Sequence, residues 1–277
     1  MTDSAIPQFE TVLIEFDGPV AWLKLNRPEK LNALDRRMWA ELPEALEWLG
    51  TQRQIRAIIL CGEGKHFTAG IDISVISGLR SKLSDPERRT RGHEEVLADI
   101  QRFQHSFTAV ENTSAPVIAA IHGVCIGGGI DLIAGCDMRL CSQDAKFCIK
   151  EVDLAVVPDV GTLQRLRHVI GYSAMTELTY TAETFDSERA LKLGLVSRVC
   201  ESREALMAAA LELAKTVAAK SPCTTRGIKR NLLWSREHNV QDGLSYAAIW
   251  NTSMLLGEDL DEALSAFQEK RAPKFKD

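Results

Sequence analysis

The chain has 277 residues, 45% of them hydrophobic and 26% charged, with 33 Lys and Arg against 38 Asp and Glu for a net charge of −5. That balance suits a soluble domain with material for a core, and its acidic sign argues against a nucleic-acid binder, which usually carries a basic face. No apolar run approaches the roughly 18 residues of a membrane span, and neither the opening MTDSAIPQFE nor the closing KFKD reads as a targeting segment.

Residues 11–16 (TVLIEF) and 20–25 (VAWLKL) are β-type runs joined at Asp17-Gly18, a hairpin signal. From Asp35 the period lengthens: Met38, Leu42, Ala45, Leu46 and Leu49 recur at helical spacing, and Gly50 closes the run. Pro43 sits inside that helix, where it costs about 3 kcal/mol or bends the axis. Residues 55–60 (IRAIIL) read as a buried strand running into the loop CGEGKHFTAGIDI (61–73). The charged, aperiodic stretch 80–95 reads as an exposed loop ahead of a helix near 94–112. A strand at 116–123 then meets CIGGGIDLIAGCD (125–137), and short strands follow at 138–142 and 146–149. From about Thr162 the pattern is nearly all helical, with breaks at Gly171-Tyr172, Gly194 and Ser221-Pro222.

Strand–strand–helix units ahead of a helical tail predict a mixed α/β core over residues 1–200 and an α-helical region over 201–277. Apolar rows in that tail, such as Leu206, Ala210 and Leu213, call for cover beyond one core and so for an oligomer. Seven cysteines without a CxxC pair read as small buried hydrophobes of a reducing compartment, so a cytoplasmic location is expected. The six histidines show neither HExxH nor HxH spacing, and no metal site is expected.

CIGGGIDL sets three consecutive glycines between a strand and a helix. Without side chains a ligand can approach that backbone, and a helix start offers free N–H groups to an anionic oxygen. The plain alternative is a tight turn with Asp131 stabilising the first helical residues. The spacing is not the G-x-G-x-x-G of a dinucleotide site. GKHFTAGID (64–72) follows the same logic and alone reads as a turn; together the two loops can aim two N–H donors at one oxygen. Further on, KEVDLAVVPDVGTLQRL (150–166) places Glu151, Asp153 and Asp159 in an apolar stretch. Such acids either face water or line a pocket where a raised pKa serves proton transfer. For Asp159 the alternative is a helix N-cap, since Thr162 opens a helical run.

These segments, HFTAGIDI, AAIHGVCIGGGIDL and KEVDLAVVPDVGTLQRL, follow LNRPEKLNAL (25–34) and IRAIILCGEGK (55–65). In that order they resemble the crotonase (enoyl-CoA hydratase/isomerase) superfamily over most of the chain. The resemblance implies an α/β fold, a spiral of repeated ββα units whose α-helical C-terminal region makes trimer contacts, often as a hexamer of two trimers. It implies an acyl-CoA thioester substrate, with coenzyme A part of the substrate and no separate cofactor. The thioester oxygen would be held by the N–H groups of Ala69 and Gly128. Ala69, Gly70, Ile71, Asp72, Ile73 and Gly128 would line the acyl-CoA site.

The acids narrow the resemblance. The two glutamates that hold water in hydratases correspond to Asp131 and Glu151, and eight residues on, where hydratases usually have Gly, stands Asp159. This trio is similar to the dienoyl-CoA isomerase branch of the superfamily, as are NLLWSREHNV (231–240) and SYAAIWNTSML (245–255). That branch implies moving a 3,5-diene to 2,4 in fatty-acid β-oxidation. Glu151 and Asp159 would serve the two ends of the diene and Asp131 would shape or polarise the pocket. Val156, Val157 and Pro158 are expected to supply the apolar surroundings that raise a donor's pKa. A 2-enoyl-CoA hydratase using Asp131 and Glu151 is the alternative. A non-catalytic CoA- or RNA-binding homologue is a more distant one, disfavoured by the retained acids and the acidic balance. Arg88, Arg89 and Arg91, like Lys270, Arg271, Lys274 and Lys276, either meet CoA phosphates or face water.

Overall fold

In the computed structural model, which describes residues 6–276, the chain opens with the expected hairpin. Strands β1 (Val12–Asp17) and β2 (Val20–Leu25) pair antiparallel from Val12↔Leu25 to Asp17↔Val20. Asp35 then caps helix α1 (Arg36–Thr51) by accepting the Met38 N–H at 2.8 Å. Pro43 lies inside this helix without ending it. A proline leaves the carbonyl four residues back without its helical donor, and here the buried Ser106 hydroxyl donates to that Trp39 oxygen at 2.6 Å. The conflict seen in the sequence is thus resolved by a neighbour 67 positions away in the chain.

Strand β3 (Ala57–Gly62) is followed by two helices, α2 (Ile73–Leu83) and α3 (Arg89–Asn112). Residues 80–95, expected as a loop, are therefore the end of α2, a 3₁₀ turn and the start of α3. The sequence hid α2 because it buries only Val75 and so carries no apolar stripe. Next come β4 (Val117–Ile121), β5 (Val124–Ile126) and α4 (Gly128–Ala134). After β6 (Met138–Ser142) and β7 (Lys146–Cys148), a 3₁₀ turn leads to α5 (Thr162–Arg165), α6 (Arg167–Ile170) and α7 (Tyr172–Thr181). The region read as all helix contains two short strands, β8 (Phe185–Asp186) and β9 (Arg198–Cys200), on either side of α8 (Ser187–Lys192). Runs of two or three residues cannot display a period of two. Helices α9 (Arg203–Ala218), α10 (Pro222–Glu237), α11 (Val240–Met254) and α12 (Glu258–Glu269) complete the chain.

The strands form two sheets, one ordered β1-β2-β3-β4-β6-β9 and parallel after the hairpin, the other β5-β7-β8. Chain turns β4–β5 and β6–β7 each put one strand in the large sheet and the next in the small one. The turn from β3 does the same through a parallel bridge, Thr68↔Cys125. This is the expected spiral. Strand β3 is buried throughout. Its Ile58 and Leu60 enter the core under α1 and α3, while Ala57, Ile59 and Cys61 enter a second core closed by Leu206, Ala210 and Ala214 of α9. Helix α9 thus covers the sheet rather than standing apart after residue 200.

Helix α10 is tied to this body by Lys229, only 4% exposed. Its Nζ donates to the carbonyl oxygens of Val110 (2.9 Å) and Ala115 (3.2 Å) and pairs with Asp137 at 2.9 Å. Asp137 also accepts the Val117 N–H at the start of β4. Lys229→Met should cost about 3 kcal/mol, because it strands a carboxylate and two carbonyls. Scanning calorimetry should register a clearly lower melting temperature, and an unchanged one would mean that α10 is anchored elsewhere.

Candidate active site

The two glycine loops meet edge to edge. The Thr68 N–H donates to Val124 O at 3.0 Å and the Ile126 N–H to Thr68 O at 3.2 Å, so 68–71 lies beside 126–129. Gly70 has φ +84, and a Cβ there would lie 2.5 Å from the Ile126 oxygen. Only glycine fits. The first loop is held from below by Asn32, which has no exposure and donates its amide to Glu63 O and His66 O, both at 2.8 Å. The Asn32 carbonyl accepts from the Thr68 hydroxyl at 2.7 Å, and that hydroxyl accepts the Gly70 N–H at 3.1 Å.

These bonds decide which N–H groups are available to a ligand. The Ala69 N–H, expected at the thioester oxygen, donates instead to Leu31 O at 2.9 Å. Past Gly70 the chain is extended against Leu34, with Leu34 N–H bonded to Gly70 O and Asp72 N–H to Leu34 O. Successive N–H groups of an extended chain point to opposite sides, so the Ile71 N–H points away from Leu34. Neither Ile71 N–H nor the Gly128 N–H that opens α4 has an acceptor among the described residues. A Cβ on Gly128 would lie 3.8 Å from the Ile71 nitrogen. The free pair is therefore Ile71 and Gly128. The signal in the sequence was the Gly after Ala69, which reverses the backbone between the two candidate donors.

Three carboxyls sit behind this pair, and none has a cationic partner among the described residues. Asp131, on α4, has no exposure. Its Oδ1 accepts the Thr162 N–H at 2.5 Å, whereas its Oδ2 has no partner. Burial, and then the charge of Glu151, push its pKa up to about 7. Glu151 opens the 3₁₀ turn after β7, with Oε2 buried and unpartnered and Oε1 facing Gly127, 3.3 Å from where a Cβ would stand. Burial raises its pKa and the charge of Asp159 adds to the rise. Asp159 meets solvent on one side and the rest of the protein on the other, and partial burial raises its pKa as well. Val156 and Val157, expected to supply apolar cover, are 48% and 68% exposed and form a rim instead.

The remaining candidates divide. Asp72 caps α2, accepting Ser74 N–H and hydroxyl and the Arg27 guanidinium, and the Ser74 bonds lead in holding its pKa below the usual range. Ile73 stands exposed at the start of α2. Arg88 and Arg91 both pair with Glu95, and Arg271 with Glu262 and Glu269. No cluster of metal-ligand residues occurs among the described residues. A cavity of about 1050 Å³ lies among the C-terminal helices and is lined by none of the three acids.

Comparison with known proteins places nearly the whole chain. The family described as "Enoyl-CoA hydratase/isomerase" matches residues 15–277. The peroxisomal Delta(3,5)-Delta(2,4)-dienoyl-CoA isomerase of Arabidopsis thaliana is 45% identical over 99% of each chain. The mitochondrial enzyme of that name from Mus musculus is 45% identical over 92% of this chain and 78% of its own length. Among solved structures, an enoyl-CoA hydratase from Bacillus anthracis superposes with a TM-score of 0.86 at 28% identity, covering 96% of this chain and 99% of that one. A match that runs from residue 15 to the last residue, with relatives aligned over nearly all of it, makes this chain a member of the enoyl-CoA hydratase/isomerase (crotonase) family.

Proposed function

We propose that the protein is a dienoyl-CoA isomerase of fatty-acid β-oxidation, converting 3,5-dienoyl-CoA to 2,4-dienoyl-CoA. The observation that carries this reading is a third carboxyl, Asp159, beside the buried Asp131 and half-buried Glu151, in a chain 45% identical to enzymes of that name. The diene shift removes a proton at carbon 2 and delivers one at carbon 6, and one carboxylate cannot reach both. The thioester oxygen sits between the Ile71 and Gly128 N–H groups, where charge accumulates once Glu151 takes the carbon 2 proton. Asp159, its pKa raised by burial, carries the proton that carbon 6 receives. Each turnover leaves Glu151 protonated and Asp159 ionised, and the solvent-facing side of Asp159 lets water restore both. A hydratase would need Asp131 and Glu151 to share a water. Asp131 commits its Oδ1 to the Thr162 N–H and leaves only Oδ2 for such a water.

Assembly as a homotrimer, or a hexamer of two trimers, is part of the same proposal. Val240, Leu244, Ile249 and Phe267 on α11 and α12 are exposed, and Leu256 between them is 96% exposed. So is a cytosolic location, supported by seven cysteines that are all free thiols, although the relatives above are named peroxisomal and mitochondrial. No helix among the described residues is long and apolar enough to cross a membrane.

Asp159→Asn should lower the diene shift by at least about 10²-fold while deuterium exchange at carbon 2 persists; Glu151→Gln should abolish that exchange. Near-normal isomerisation by Asp159→Asn rejects the isomerase mechanism. Asp131 also predicts a pH dependence. Its ordinary value is 3.8 and its folded value about 7, so between these pH values the folded chain holds a proton that the unfolded chain has lost. Stability from this group therefore falls as pH rises through that window and levels off above it. Asp131→Asn keeps the acceptor for Thr162 and removes the titration, so its melting temperature relative to wild type should climb from pH 4 to pH 7. A constant difference would place the Asp131 pKa in the normal range. For assembly, light scattering should give three or six times the 30.7 kDa chain mass at micromolar concentration, and a monomer excludes the trimer.

A further inference from the structure

The segment that carries Asp159 has no regular structure of its own until α5 begins at Thr162. Side chains from elsewhere hold it instead. Gln104 of α3 donates to the Asp159 carbonyl at 2.7 Å, and Asp131 takes the Thr162 N–H. The Val160 carbonyl accepts from Arg165 Nη1 at 3.1 Å. Arg165 is itself fixed on its other edges: Nε donates to the buried Glu111 at 2.8 Å and Nη2 to the Thr108 hydroxyl at 2.9 Å. The second Glu111 oxygen accepts from Arg236, which arrives on α10. Gly161, at φ +137, lies so close under the guanidinium that a Cβ would come within 1.9 Å of Nη1. A planar fork with donors on three edges makes all these bonds at once; an ammonium cannot.

We propose that Arg165 is a positioning residue for the second proton transfer, holding the Asp159–Thr162 segment so that the Asp159 carboxyl meets carbon 6. The proposal rests on the isomerase reading above. Arg165 acts through geometry rather than through charge. Its charge is answered by Glu111, and the Asp159 pKa is raised by burial, whereas a free guanidinium would lower it. Arg236 braces the arrangement from behind, so helix α10 reaches the acid loop through Glu111. A misplacement of about 1 Å in a reacting group costs about 10²-fold in rate, and a loop relieved of its Val160 bond has room to move by that much.

The test separates the two ends of the diene. In Arg165→Lys, isomerisation should fall about 10²-fold while deuterium exchange at carbon 2, which needs only Glu151 and the N–H pair, stays within about threefold of wild type. In Arg165→Ala, added guanidinium ion should restore part of the isomerisation, entering by the cavity of about 690 Å³ that Arg165, Thr108, Glu111 and Arg236 line. A merely structural arginine would lower exchange and isomerisation by the same factor, and that result overturns the proposal, as does near-normal isomerisation. If neither Arg165 variant folds, Arg236→Met carries the same comparison with an expected loss of about tenfold, and equal effects on both reactions overturn the proposal there too. Failure of the isomerase reading itself looks different: wild type would then not convert 3,5-dienoyl-CoA at all.

Discussion

The first glycine loop is anchored on one residue with no access to water. Asn32 bonds two carbonyls of the 63–66 segment through its side chain and the Thr68 hydroxyl through its own carbonyl. It does so from a left-handed backbone, φ 53, that asparagine tolerates better than most residues. If the amide is removed, the Glu63 and His66 carbonyls are left in search of donors and the Arg27 N–H loses its acceptor, so the backbone that presents the Asn32 carbonyl to Thr68 is no longer held. The Ile71 N–H is aimed by a chain of hydrogen bonds that begins at residue 32.

The site combines two kinds of order. The N–H pair is built from backbone on adjoining turns of the spiral, stiff because glycines let the loops touch. The acids are arranged the opposite way: three carboxyls are left without cations where burial raises their pKa values, helped at Asp131 and Glu151 by the charge of a neighbouring acid. Elsewhere the protein treats its acids conventionally. Asp99 is nearly buried too, but Lys82 and Arg102 bind it and its pKa is lowered. The contrast suits the proton chemistry proposed for Glu151 and Asp159, since an acid meant only for stability would be given a cation.

Much of the fold was legible in the sequence, and what was not has physical reasons. Asp35 announced α1 because an N-cap and an apolar stripe are local properties. Helix α2 and strands β8 and β9 escaped because one buried side chain, or two or three residues, leaves no period to read. In the site, Glu151, Asp159 and the loops were visible as motifs. The choice between Ala69 and Ile71 as donor was not, because it is made by Leu31 and Leu34, over thirty residues away. The Asp131–Thr162 bond and the Arg165 clamp are likewise long-range events between elements that the pattern shows only one at a time.

The order of the large sheet, β1-β2-β3-β4-β6-β9, also bears on how the protein is made. Each new strand of that sheet adds at the same edge, so a chain leaving the ribosome can extend it without reopening earlier pairs. The second apolar face has no such convenience. Its residues Ala57, Ile59 and Ile118 are synthesised long before α9, which covers them. A nascent chain therefore displays that face throughout the synthesis of the active-site loops, a window in which chaperone capture competes with self-association.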